Sequence, residues 1–223
     1  MSHIQLLHIM TELCAKFDQQ GFVIVNNVVA VTDLKAILKL CESEVSSKAG
    51  TRNLLQHSIV KELSKRVAEK LENYGLLPKP NVAVQCTYFH KSESKNWLVA
   101  LHRDKSIPVR EKFETLGWSG WSKKEGTYFV QPPEHVLQSL VAVRVHIDHT
   151  TSQNGALQVV PYSHNGVNSH ERVTCEVREG GALIMRPLLL HASSKLEFGV
   201  RRVLHIVYGP PELPLPAEWA HAV

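Results

Sequence analysis

The chain has 223 residues, 43% of them hydrophobic, which is enough for one substantial core and suits a single domain spanning 1–223. Its 25 basic and 21 acidic side chains leave a net charge of +4, too modest and dispersed for a nucleic-acid partner to be expected. Four widely spaced cysteines without a C-x-x-C pair argue against a disulfide framework, and no secretory leader or apolar run of about 18 residues is visible, so a cytoplasmic protein without a membrane span is expected.

Apolar residues recur at helical spacing from Ile4 to Phe17, and the short β-branched run Phe22 to Val25 follows as a strand. Thr32 then reads as the N-cap of a helix through Leu40 and Cys41, and a third helix is predicted from Ile59 to Leu76. Residues 1–80 are thus a mostly helical support packed outside the rest. From Asn81 the texture changes to short β-rich runs separated by Gly, Pro and Asn. The predicted strands are Val82 to Phe89, Leu98 to His102, Leu140 to Ile147, Ala156 to Val160, Arg172 to Val177, Ala182 to Leu190 and Val200 to Tyr208. The fold class expected is mainly β with N-terminal helices: a double-stranded β-helix, of the jelly-roll or cupin kind, over 81–209. Residues 106–134 interrupt it with little strand signal and are read as a lid insertion.

Thirteen histidines raise the expectation of a metal, and spacing locates it. His102 and Asp104 stand at i and i+2, which in extended backbone project to one side. His191 follows the predicted strand ending at Leu190. Two imidazoles and one carboxylate on one face leave coordination positions open, the arrangement of non-haem iron(II) oxygenases. Arg201, ten residues beyond His191, opens the next strand and suits a bidentate pair with the distal carboxylate of a 2-oxo acid. Strand alternation puts Arg201, Val203, His205 and Val207 on one face and Arg202, Leu204, Ile206 and Tyr208 on the other, so Arg201 is the inward arginine. A second H-x-D, His146-Ile147-Asp148, is set aside as a structural turn because only 45 residues separate it from His191, too few for the intervening strands.

The run Asn154-Gly155-Ala156-Leu157-Gln158-Val159-Val160-Pro161-Tyr162-Ser163-His164 resembles the N-G-x-L-x-V-x-P-G-S-H signature of the phytanoyl-CoA dioxygenase family, with Tyr162 where the family usually has glycine. The H-x-D at His102 and Asp104, the segment Arg186 to Ser194, the Arg201-Arg202 strand and the opening Gln20 to Val25 extend the likeness over nearly the whole chain. The resemblance implies an enzyme using iron(II), 2-oxoglutarate as cosubstrate and O2, with His102, Asp104 and His191 as metal ligands. It further implies that Ser193 and Arg201 hold the far carboxylate, with Thr87 and Gln85 in the same pocket. The family often has an aromatic residue at the position of Arg144, which is assigned to the cosubstrate pocket, with substrate contact or a solvent-facing role as alternatives.

The expected reaction is hydroxylation of a C–H bond in a small-molecule substrate, releasing succinate and CO2. Asp104 argues against halogenation, which needs a small residue there. A metal-binding cupin-type isomerase or sensor without 2-oxoglutarate chemistry is the alternative. Residues 90–124 carry a net charge of +4, which raises the hypothesis of an anionic substrate, although a solvated basic surface is the more common explanation of such a stretch. Trp118, Trp121, Arg52 and Asn53 are candidate substrate contacts, the tryptophans alternatively anchoring the insertion to the body. Substrate identity and oligomeric state are not legible.

Overall fold

The computed structural model describes residues 3–44 and 50–223. In chain order, helix α1 (His3–Gln20), strand β1 (Phe22–Val25), α2 (Val31–Glu44), β2 (Gly50–Thr51) and α3 (Ser58–Asn73) precede the β-rich part. Strands β3 (Val82–Ser92), β4 (Val99–His102), β5 (Ile107–Val109), β6 (Ser119–Lys124) and β7 (Thr127–Gln131) follow, then a short α4 (Glu134–Gln138). The chain continues through β8 (Val141–His146), β9 (Leu157–Val159), β10 (Val173–Cys175), β11 (Ala182–Met185), β12 (His191–Ser193) and β13 (Val200–Gly209).

A six-stranded sheet ordered β1-β11-β8-β13-β3-β2 faces a four-stranded sheet ordered β10-β9-β12-β4. This is the jelly-roll core flanked by helices that the sequence predicts. Helices α2 and α3 cover the outer face of the larger sheet because their apolar stripes, Leu34, Ile37, Cys41 and Val60, Leu63, Val67, Leu71, meet Val143, Val145, Leu204, Ile206 and Tyr208. The alternation along β13 is therefore as expected: the even-numbered side chains pack on the helices, leaving the odd-numbered ones to face the second sheet. Between the sheets Ala142, Leu157, Val159, Leu183, Met185 and Leu189 form one part of the core, and the remaining space is a cavity.

Four local expectations change. The first 80 residues are not only an outer support, since β1 and β2 form both edges of the larger sheet. Thr32 lies inside α2, whose first carbonyl acceptor is Ala30, bonded by the amides of Asp33 and Leu34. The predicted strand from Ala182 to Leu190 ends at Met185. Pro187 cannot donate to a ladder, and the chain turns there, crossing from the larger sheet to the smaller one. Finally, the insertion is not irregular: β5, β7 and β6 form a three-stranded antiparallel sheet of their own. Its strands are short, β5 being only Ile107-Pro108-Val109 and β6 being rich in Ser, Lys and Gly, so they give little strand signal, and the sheet is secured by Ile107, Val109 and Val130 packing with Leu140, Val207 and Trp219.

Candidate metal and cosubstrate site

Strands β4 and β12 are antiparallel neighbours in the smaller sheet, and their register sets His102 directly opposite His191. Their rings lie 4.2 Å apart between centroids. Asp104 follows two residues after His102, its amide donating to Pro187 O at 2.9 Å. The intervening Arg103 points away and donates from Nε to Leu188 O (2.9 Å) and from Nη2 to Ser163 O (3.0 Å), which fixes the bend of the H-x-D segment against the loop before β12.

Both histidines are oriented by their own backbone. His102 Nδ1 lies 2.8 Å from Ala100 O and His191 Nδ1 2.8 Å from Leu189 O. Only a protonated Nδ1 can donate there, so each Nε2 keeps its lone pair. Those two nitrogens lie 3.6 Å and 3.7 Å from the Asp104 carboxylate oxygens. One donor atom from each residue falls within 4.8 Å of the other two, and this is the one such group of three among the described residues. Two imidazoles and a carboxylate at this separation fit a divalent iron with open positions.

The electrostatics keep the donors ready. Burial alone would raise the Asp104 carboxyl, but the adjacent His102 imidazole and the positive potential of His191, His205 and Arg144 hold it well below the usual carboxylate range. The nearby Asp104 carboxylate pushes His102 up, whereas burial pushes His191 down. A third imidazole, His205, places Nε2 3.8 Å from Asp104 Oδ2. Arg144 Nη1 lies 3.2 Å from His205 Nδ1, and a guanidinium only donates, so His205 Nδ1 must accept. His205 Nε2 then carries the hydrogen, and the residue backs Asp104 instead of offering a lone pair to a metal. Burial and Arg144 push its pKa down to about 3, so the ring is neutral.

These groups line a cavity of about 440 Å³ together with Gln85, Thr87, Phe89, Trp97, Arg144, Ser193 and Arg201. At its closed end Arg201 donates from Nη1 to Gly155 O and to Ser193 Oγ, the latter at 3.2 Å. The signature segment builds this end. Asn154 caps its own turn, accepting from Thr151 N and donating to His149 O, each at 2.8 Å, and Gly155 turns left-handed at φ 81° so that its carbonyl meets Arg201. Tyr162, where the family usually has glycine, also adopts a left-handed backbone at φ 65°. Next to it Ser163 Oγ accepts from Leu190 N at 2.8 Å, tying the signature loop to the residue before His191. Arg201 and Arg144 are buried, and the Nε of each lacks a hydrogen-bond partner. Among the described residues neither has a carboxylate partner. Unpaired buried guanidiniums facing one cavity fit an anionic ligand such as the carboxylates of 2-oxoglutarate.

The sequence profile of the phytanoyl-CoA dioxygenase (PhyH) family matches residues 17–197. The chain belongs to that family. Family members use iron(II) and 2-oxoglutarate. Among solved structures, the chain is similar to the non-haem α-ketoglutarate-dependent epimerase SnoN from nogalamycin biosynthesis, with 15% identity, a TM-score of 0.68, and 91% of this chain and 81% of that one covered. It is also similar to HygX from Streptomyces hygroscopicus, crystallised with nickel and 2-oxoglutarate, with 16% identity, a TM-score of 0.63, and 89% and 86% covered. The α-ketoglutarate-dependent carbocyclase SnoK has 14% identity and a TM-score of 0.62, with 90% and 84% covered. At these identities the likeness shows a shared fold. No protein of curated function matches the chain significantly by sequence.

Against the phytanoyl-CoA dioxygenase fold, the sequence-derived residues divide as follows. His102, Asp104, His191, Ser193, Arg201, Thr87, Gln85, Arg144 and Arg52 all line the one cavity. Trp118 and Trp121 do not: each packs its ring against Phe113 at 5.0 Å, anchoring the small sheet. Asn53 also lies off the cavity wall, donating to Glu125 O at 3.2 Å. The set-aside pair has other partners, His146 with Thr150 Oγ1 at 2.7 Å and Asp148 with Arg202. Sequence reasoning missed Phe89 and Trp97 as wall residues and Lys91 as a buried cation. Alternation along β3 carries the signal for Phe89 and Lys91, since Gln85, Thr87, Phe89 and Lys91 share one face.

Proposed function

We propose that this chain is an iron(II)- and 2-oxoglutarate-dependent dioxygenase that hydroxylates a C–H bond of a small, anionic metabolite. One observation carries the reading: a facial set of His102, Asp104 and His191 opens on the same cavity as an inward arginine, Arg201, that has no acidic partner. His102 and His191 hold the metal through Nε2, with Asp104 as the third ligand. Iron(II) held there would supply the oxidising chemistry with O2, the cosubstrate 2-oxoglutarate leaving as succinate and CO2.

The remaining residues position and shield. Arg201 and Ser193 receive the distal carboxylate, a charge-assisted contact that fixes the cosubstrate's direction. Gln85 Nε2 donates to Thr87 Oγ1 at 2.9 Å, and this pair lines the wall beside the metal. Arg144 takes an oxygen of the cosubstrate or substrate in the same chamber. At the mouth, Arg52, Lys105 and Lys124 line the cavity and attract an anionic substrate. The sheet formed by β5, β6 and β7 acts as the cover, and Trp118 and Trp121 hold it together without touching substrate. The neighbours include an epimerase and a carbocyclase, so the product, not the fold, identifies the reaction.

The test is direct. Anaerobic protein with iron(II) should develop a weak visible charge-transfer band when 2-oxoglutarate is added. Admitting O2 in the presence of a metabolite pool should yield succinate and a product heavier by one oxygen. A product of unchanged mass would indicate epimerisation, and one lighter by two hydrogens ring closure or desaturation. Iron binding without any 2-oxoglutarate band would leave a cupin-type role.

A further inference from the structure

Lys91 lies behind the cavity wall, its Nζ against the lining residue Ser193, and the mechanism above does not use it. In the β3–β13 ladder it is paired directly with Arg201, and both side chains point into the sandwich. Like charges placed opposite one another on a sheet repel. Lys91 is nonetheless fully buried. Its Nζ donates to Ser193 Oγ at 2.9 Å and to Ser194 O at 2.6 Å. Arg201 Nη1 donates to the same Ser193 oxygen at 3.2 Å, and that hydroxyl donates its own hydrogen bond to Gly155 O at 2.9 Å. Two cations therefore converge on one neutral hydroxyl. The ammonium also lies 5.2 Å from the centroid of the Trp97 ring, which lines the cavity.

Arg144 and Arg201 line the cavity and Lys91 stands directly behind its Ser193 wall, with Asp104 as the only acid among the described residues that lines it. A buried ammonium without a counterion costs several kcal/mol, so this cluster is built for an anion that arrives from outside.

We propose that Lys91 is the second cation of the cosubstrate pocket, a positioning residue that acts through Ser193 to bind the distal carboxylate of 2-oxoglutarate jointly with Arg201. The inference rests on the reading that 2-oxoglutarate binds at Arg201. It adds a property that a lone arginine does not give. Burial, with Arg201 and Arg144, pushes the Lys91 ammonium down to about 7. The charged groups acting on it are those two arginines, so a dicarboxylate placed beside it raises its proton affinity. Binding at pH 8 thus takes up part of a proton, which an arginine, protonated throughout, does not.

The experiment is calorimetric titration of 2-oxoglutarate into anaerobic iron(II)-loaded protein at pH 8, in two buffers of different ionisation enthalpy. Wild type should show fractional proton uptake. Lys91→Met should bind roughly 10- to 100-fold more weakly with no uptake. Lys91→Arg should restore most of the affinity without restoring uptake. Iron affinity in both variants should stay within about twofold of wild type. If Lys91→Met binds within threefold of wild type, or wild type shows no uptake, the proposal is wrong. The wild-type measurement decides even if a variant does not fold. Arg201→Ala serves as the control on the underlying reading: if it leaves 2-oxoglutarate affinity unchanged, the cosubstrate site itself is misplaced, whereas a loss there with no effect at Lys91 rejects only the second cation.

Discussion

Arg201 and Arg202 are adjacent on β13, yet their guanidiniums lie on opposite faces of the larger sheet. Arg201 is inward and bonded to Gly155 O and Ser193 Oγ. Arg202 faces outward and grips Asp148 through Nε at 2.9 Å and Nη2 at 2.6 Å, while its backbone amide takes the same carboxylate at 2.7 Å. Truncating a buried carboxylate-binding arginine costs on the order of 2 to 4 kcal/mol, so Arg201→Ala should raise the KM for 2-oxoglutarate by roughly 30- to 1,000-fold. Arg202→Ala should change that KM little and instead lower stability by about 1 to 3 kcal/mol. Succinate production against 2-oxoglutarate concentration, with urea unfolding of both variants, separates the two effects, and the reverse order would mean the inward and outward roles are exchanged.

His102→Ala, Asp104→Ala and His191→Ala should each strongly reduce iron content after anaerobic reconstitution, because two ligands hold a labile divalent ion poorly. His146→Ala should retain its iron, since that imidazole is engaged by Thr150 on the far side of β8 from the helices. Metal analysis of the four proteins decides between the two H-x-D segments.

Acid should destabilise the iron-free fold from about pH 6.5 downward. His146 is buried, and burial, with Arg144 and Arg201, drives its pKa far below the ordinary imidazole range. The folded state therefore stays unprotonated there while the unfolded chain takes up a proton as the pH drops through about 6.5. Each such histidine removes about 1.4 kcal/mol of stability per pH unit below that point. Urea midpoints at pH 7.5, 6 and 5 should fall accordingly, and His146→Asn should flatten the slope by one proton. An unchanged slope in that variant would mean the imidazole is protonated in the fold.

Glu125, at the tip of the β6–β7 hairpin, fastens the small sheet to the edge of the larger one. Its carboxylate accepts from Thr51 Oγ1 and Arg52 N, both at 2.9 Å, and pairs with Arg52 Nη1 at 3.3 Å. Glu125→Ala should cost roughly 1 kcal/mol globally, yet speed amide exchange selectively across residues 119–131. Hydrogen exchange that is uniform along the chain, or unaltered at the hairpin, would show that this clasp does not hold the cover.

Much of this site is legible in the sequence because it depends on local regularity. His102 and Asp104 share a side through two-residue spacing, and Arg201 is distinguished from Arg202 by strand parity alone. The crossing at Pro187, which carries the chain to the second sheet, is masked in the sequence because apolar residues lie on both sides of it, Ala182 to Met185 before and Leu188 to Leu190 after. The small sheet is hard to read for another reason: β5 is only three residues long with a central proline, and β6 carries Ser, Gly and Lys in place of alternating apolar residues. Lys91 reads as one more surface lysine in a basic stretch until the β3–β13 register sets it against Arg201, a relation between residues 110 positions apart in the chain. Trp118 and Trp121 are large aromatics in an insertion, and only packing reveals that Phe113, not the cavity, receives them.

The left-handed backbone at Tyr162 stores strain beside the distal histidine. A side chain with a Cβ at φ 65° costs about 1 to 2 kcal/mol there, and the phenol is too exposed, at 42%, to recover it by burial. Glycine would release that strain, less the backbone entropy it adds to the unfolded chain, and each kcal/mol of net gain raises the melting temperature by roughly 2 to 4 °C. The same turn carries Ser163, whose hydroxyl holds the Leu190 amide. Relaxing this corner should therefore act through one hydrogen bond on the peptide that precedes His191, so a Tyr162→Gly variant is expected to change metal retention as well as melting temperature, although Tyr162 does not line the cavity.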